Sequence, residues 1–142
     1  MNLKFSCDMM LYDVARWLRF LGYDTEYARY KRRDKSRIYL TSNEKLNDVF
    51  LLKHGSLSEK LLTLEKEFRI IENARPFTRC SICNIQLEEA TENDIDNLPP
   101  FVKENFNSFR KCPKCGRLYW KGSHYGKMIE FLKNLFPDLL NL

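Results

Sequence analysis

The chain has 142 residues, is 44% hydrophobic and 13% aromatic, and carries a formal charge of +5. That is enough apolar material for one domain or two small ones, and it excludes a disordered chain. The apolar runs span only a few residues, and no apolar stretch of signal-peptide length precedes Asp8, so a cytoplasmic protein without a membrane partner is expected.

Residues 3–7 form a short apolar run that reads as a buried strand, and it ends on Asp8. Residues 9–21 read as a helix, with Leu11, Val14, Leu18 and Leu21 spaced by three and four. Asp8 thus has two readings: a strand-tip metal ligand, or the cap of this helix. Gly22 suits the left-handed position after a helix. Residues 23–28 and 37–41 read as strands, and a short helix is expected from Asn43, capped by Ser42 or Asn43. Residues 50–52 read as a fourth strand. The run Ser56-Leu57-Ser58-Glu59 is a capping box, followed by a helix with Leu61, Leu62, Leu64 and Phe68 on one side. Strands alternating with helices predict a parallel α/β sheet.

Most of the positive charge lies in residues 1–75. The segment 29–37, RYKRRDKSR, carries six basic side chains and one acid, through Arg29, Lys31, Arg32, Arg33, Lys35 and Arg37. Such a loop can neutralise phosphates or can be a solvated surface. Pro76 marks an expected boundary between residues 1–75, an α/β domain, and residues 76–142, a smaller one.

In that second part, Cys80 and Cys83, and Cys112 and Cys115, form two CxxC pairs. Each pair can turn two thiolates toward one ion, and four complete a closed tetrahedral shell, so a structural zinc site is expected. Four thiolates around Zn²⁺ would lower the net charge to roughly +3. The spacing of 28 residues between Cys83 and Cys112 exceeds a compact hairpin, so the segment must loop out or hold a small helix. Beyond the second pair, RLYW reads as a strand, Ser123 as a cap, and Tyr125, Met128, Ile129, Leu132 and Leu135 as one side of a last helix. The helix should pack back on the zinc ribbon.

Four stretches resemble the Mut-seven C-terminal family, in which a PIN-like ribonuclease domain precedes a zinc ribbon. Residues 8–25 match its opening motif through Asp8, Met10, Leu11, Ala15, Arg16, Trp17, Leu18, Arg19, Leu21, Gly22, Tyr23, Asp24 and Thr25. Leu40-Thr41 matches the start of its second motif. Cys80, Cys83 and Asn84 match the first knuckle, and CPKCGRLYWKGSH, residues 112–124, the second. The resemblance implies carboxylates gathered at the ends of parallel strands to hold Mg²⁺ or Mn²⁺ for RNA cleavage. Asp8 stands where the first is expected. Asn43 stands where the second acid is expected, and keeps an oxygen without the charge. No acid follows the fourth strand until Glu59, and residues 29–37 form a loop where the family has a helix.

Outside those positions, Arg16 and Arg19 lie three apart on the first helix and could grip phosphate or pair with Asp13 and Asp24. Alternation in the strand after the second knuckle places Arg117, Tyr119 and Lys121 on one side, an RNA-contacting strip, with His124 at the start of the last helix. Two functions compete. One is a metal-dependent ribonuclease with Asp8 and Asn43 as ligands. The other is an RNA- or protein-binding module that keeps the fold with a degenerate metal site. RNA contacts are expected at Arg19, Arg29, Lys31, Arg32, Arg33, Arg117, Lys121 and His124, and a protein partner in a larger assembly is a further alternative.

Overall fold

A computed structural model describes residues 2–27 and 34–139 of the chain. Lys4–Cys7 forms β1, Asp24–Tyr27 β2, Ile38–Thr41 β3 and Phe50–Leu51 β4. All neighbours pair in parallel, in the order β2-β1-β3-β4. The β1 strand is therefore flanked on both edges, and its Phe5 and Cys7 are fully buried, as is Leu40 of β3. Helix α1, Tyr12–Phe20, connects β1 to β2, and α2, Leu57–Phe68, follows β4. The expected parallel α/β unit is present.

Two local expectations are corrected. The helix expected over 9–21 begins as a 3₁₀ turn, Met9–Leu11, before α1. Asp8 flanks that turn, but its side chain makes no capping hydrogen bond. No helix starts near Asn43. Its Oδ1 accepts from the Lys45 N–H at 3.0 Å, an Asx turn that competes with helix formation, and Asp48 sits at φ 55°. At α2 the capping box forms as expected: the Ser56 hydroxyl accepts from the Glu59 N–H, and the Glu59 carboxylate accepts from the Ser56 N–H.

Gly22 ends α1 at φ +97°, and a Cβ there would lie 2.5 Å from the Arg75 carbonyl oxygen. No other residue fits, because it would need both a strained backbone and space that the neighbouring chain occupies.

The second sheet is antiparallel and contains β5, Glu88–Glu89, β6, Arg110–Lys111, and β7, Leu118–Tyr119, in that order. The long spacing between the knuckles holds two short helices, α3, Glu92–Asp96, and α4, Pro100–Asn105. The last helix, α5, spans Ser123–Leu135. Ser123 is its first residue and not its cap; Gly122 holds that position. A Cβ on Gly122 would lie 2.7 Å from the Trp120 indole nitrogen, so packing of the indole selects glycine.

The expected packing of this helix back on the ribbon is corrected: α5 buries its apolar side in the core of the α/β unit. Leu132 and Phe136 are buried in the same core as Phe5, Leu18 and Leu64, and the Phe131 ring lies 5.2 Å from that of Trp17 on α1. The apolar side of α5 covers α1, whose own apolar residues need a second partner besides the sheet. No described helix is long and apolar enough to cross a membrane.

Candidate functional site

Three arrangements of side chains carry chemistry. The first is the cysteine cluster. The sulfurs of Cys80, Cys83, Cys112 and Cys115 all lie within 4.8 Å of one another, and those of Cys80 and Cys115 are 3.9 Å apart. Sulfurs in a tetrahedral zinc–thiolate shell, with bonds of about 2.3 Å, stand roughly 3.8 Å apart. The cluster can therefore hold a metal such as zinc.

The two knuckles share a backbone design. The Cys83 N–H points at the Cys80 sulfur at 3.4 Å, and the Cys115 N–H at the Cys112 sulfur at 3.5 Å. The residue after each pair is left-handed, Asn84 at φ 61° and Gly116 at φ 77°. Each closes its turn through its own N–H, to the Cys80 and Cys112 carbonyls at 2.9 Å. Tyr119 donates its hydroxyl to the Cys80 sulfur at 3.1 Å. Burial pushes the Cys80 thiol up, but the Tyr119 hydroxyl and the Cys83 and Ile82 N–H groups outweigh it and bring it down to about 7. Cys83 moves the other way, to about 12, through desolvation and the crowding of the Cys115 and Cys112 sulfurs. Four thiolates so close need a cation between them, which is the fit a metal supplies.

Below this cluster, a polar seam ties the first knuckle to the sheet. Arg19 donates its Nε to the Thr25 carbonyl at 2.9 Å and its Nη1 to the Ser81 and Ile82 carbonyls at 3.0 and 3.2 Å. The Asn84 amide donates to Asp24 Oδ1 at 2.7 Å, and its Oδ1 accepts from the Thr25 N–H at 2.9 Å. Arg79 reaches the Gly22 carbonyl at 3.3 Å and the Asn84 carbonyl at 2.9 Å. Arg37 completes the group by pairing with Asp24 at 2.8 Å, so this member of the basic segment faces the protein. Burial would raise the Asp24 carboxyl. The hydrogen bonds from Arg37 and Asn84 outweigh that and hold it below the ordinary carboxylate range.

The second arrangement surrounds Asp8, at the carboxyl end of β1. Its N–H donates to the Leu40 carbonyl at 3.0 Å, and its Oδ2 accepts from the Thr41 hydroxyl at 2.9 Å. Thr41 Oγ in turn accepts from the Asn43 N–H at 3.0 Å. Asp8, Thr41 and Asn43 thus meet at the carboxyl end of the adjacent strands β1 and β3. The Asn43 side chain is exposed and turned into its own loop, toward Lys45. Asp13 accepts from the Val14 N–H beside it. Among the described residues, the cysteine cluster is the one group of three or more His, Cys, Asp or Glu side chains close enough to share an ion.

The third is a cavity of about 600 Å³ between α1, β7 and the start of α5. Arg16, Arg117 and His124 line it together, with Trp17 and Trp120 among its walls. Tyr119 also borders it, although its hydroxyl is engaged with Cys80. Lys121 is not among the lining residues, but its Nζ is 5.7 Å from the centres of the Phe77 and Tyr125 rings, which are. Arg19 is apart from this group, with its guanidinium on the seam. Arg29, Lys31, Arg32 and Arg33 lie outside the described residues. Neither the clip made by Asn84 nor the bond from the Tyr119 hydroxyl to sulfur follows from motif spacing. The one available signal was asparagine at the position where the other knuckle has glycine.

A parallel α/β unit with a strand-tip aspartate, joined to a four-cysteine ribbon, is the arrangement of a ribonuclease-like protein. The family model for the Mut7-C RNAse domain matches residues 3–132, nearly the whole chain, and the protein belongs to that family. Comparison with curated proteins and with solved structures finds no match.

Proposed function

We propose that this protein is an RNA-binding member of its ribonuclease family whose phosphodiesterase site is weak or silent. The observation that carries this reading is the disposition of Asp8 and Asn43. Cleavage by two hard cations needs several carboxylates at one point, because Mg²⁺ and Mn²⁺ are held weakly by few ligands. Asp8 is held by the Thr41 hydroxyl, and the Asn43 oxygen serves its own turn. Among the described residues no three carboxylates gather at the strand tip, where the chemistry calls for three or four.

The RNA contacts would come from Arg117, Lys121 and His124 near the ribbon, and from the basic segment containing Arg29, Lys31, Arg32 and Arg33. Zinc would be structural here. Four thiolates leave it no open position, and the Tyr119 hydroxyl and knuckle N–H groups would stabilise their charge. The division into residues 1–75 and 76–142, and a cytoplasmic location that keeps the thiols reduced, belong to the same proposal.

The test is RNA binding and cleavage by the purified full chain. Affinity for single-stranded RNA should fall steeply between about 50 and 200 mM salt, with no cleavage in Mg²⁺ or Mn²⁺. Mn²⁺-dependent cleavage that disappears in Asp8→Asn would overturn the silent site and establish the active ribonuclease.

A further inference from the structure

We propose that the cavity between α1 and the ribbon is a binding site for unpaired nucleotides of RNA, separate from the strand tip at Asp8. The inference rests on the RNA-binding reading above and deepens it by locating and typing the contact.

Charge and surface together select this ligand. Three arginines, Arg16, Arg79 and Arg117, border the cavity against a single carboxylate, Asp13. Arg79 is held by backbone carbonyls, but Arg16 and Arg117 are exposed, and guanidinium groups grip phosphate bidentately. Between them the walls are aromatic, with Trp17 from α1 and Trp120 from the end of β7. Alternating cations and ring faces suit a polyanion with stacking bases. The volume of about 600 Å³ falls within the ordinary range of ligand pockets, roughly 300–1,000 Å³. A base in a duplex is already stacked and paired, so only an unpaired one can enter.

The backbone supports the same conclusion. Phe77 borders the cavity at φ 68°, a conformation that bulky residues rarely adopt, and its ring carries Arg110 at 5.2 Å and Lys121 at 5.7 Å. Two further cations, Arg110 and Lys121, thus lie against the ring of this wall residue. At the other end, Tyr12 meets Tyr27 edge to face at 4.9 Å, and the Tyr27 hydroxyl donates to the Met9 carbonyl, next to Asp8. A strand gripped in the cavity can therefore continue along Tyr12 to the carboxyl end of β1, where Asp8 stands.

The chain has two tryptophans, and both line the cavity, which makes the site readable without a label. The full chain is titrated with a single-stranded oligouridylate and with a duplex of equal length. Binding is followed by anisotropy of labelled RNA and, in parallel, by tryptophan emission. The single strand should quench the emission with the same isotherm as anisotropy, and the duplex should bind more weakly and quench little. The Arg16→Glu, Arg117→Glu double variant should weaken binding by about tenfold or more and abolish the quench, with unchanged circular dichroism. The Lys127→Glu, Lys133→Glu double variant changes the net charge equally at exposed sites on α5, and should stay within about threefold of the parent. RNA binding with unchanged emission, or equal losses in both double variants, would overturn the cavity site and leave the RNA-binding reading standing. A duplex that binds and quenches as well as the single strand would overturn the claim for unpaired nucleotides. No binding at low salt would overturn both.

Discussion

Asn84 shows how one residue can serve two scales. Its backbone takes the left-handed position that closes the first knuckle, where the second knuckle uses Gly116. Asparagine tolerates that conformation better than most residues, and its side chain then reaches the sheet. Glycine would keep the turn and lose both hydrogen bonds to Asp24 and Thr25. Asn84→Gly should therefore destabilise the protein by about 1–3 kcal/mol, measured by urea unfolding, because Asp24 and the Thr25 N–H lose a partner. Asp24 has its own pH signature. Its folded carboxyl titrates below the unfolded one, so its stabilisation is present above about pH 4 and is lost as pH falls through the folded value. Asp24→Asn should flatten the acid limb of a stability–pH profile below about pH 4. A profile that keeps the parent's slope there would show that other carboxylates set it. Tyr119→Phe removes the hydroxyl that donates to the Cys80 sulfur and should weaken zinc by about tenfold in a competition titration with a chelating dye.

Among the elements, α5 shows most clearly what packing decides. Its sequence has an apolar side of helical spacing, but spacing cannot say which surface that side will cover. The structure places it on α1, with Leu132 wholly buried among residues of the α/β core. Leu132→Ala should thus destabilise the whole protein by about 2–5 kcal/mol in a single transition. A variant that lost only α5 helicity, with the sheet unfolding as before, would contradict the shared core. The α2 helix is the opposite case. Ser56 and Glu59 read as a capping box from four letters, and the box forms as read, because its bonds are local. The turn at Asn43 did not follow from spacing, since an Asx turn and a helix cap begin with the same residue.

At the scale of the whole molecule, the ribbon and the sheet are joined through polar contacts as well as α5. Arg19, Asn84 and Arg79 bridge them, and each depends on the shape of the first knuckle. Removing the metal should therefore weaken more than the ribbon. Chelation is expected to lower the melting temperature of the full chain and to change tryptophan emission, because Trp120 follows directly on β7. A metal content well below about one per chain by mass spectrometry, or unchanged unfolding after chelation, would contradict a structural role for zinc.

Some of this was determined by sequence alone, for a physical reason. The two CxxC pairs, the capping box and the opening run through Asp8 to Thr25 are short-range patterns, and the chemistry of each is complete within a few residues. They suffice for a parallel α/β unit, a four-cysteine cluster and membership of a ribonuclease family. What only tertiary structure decided involves partners far apart in the chain. The Arg19 guanidinium turns to Ser81 and Ile82, Asp8 meets Thr41, and Arg16 shares a cavity with Arg117 across a hundred residues of sequence. Side chains of one type can grip a phosphate or a carbonyl equally well. Which one they reach is set by the packing of elements that the local sequence does not encode.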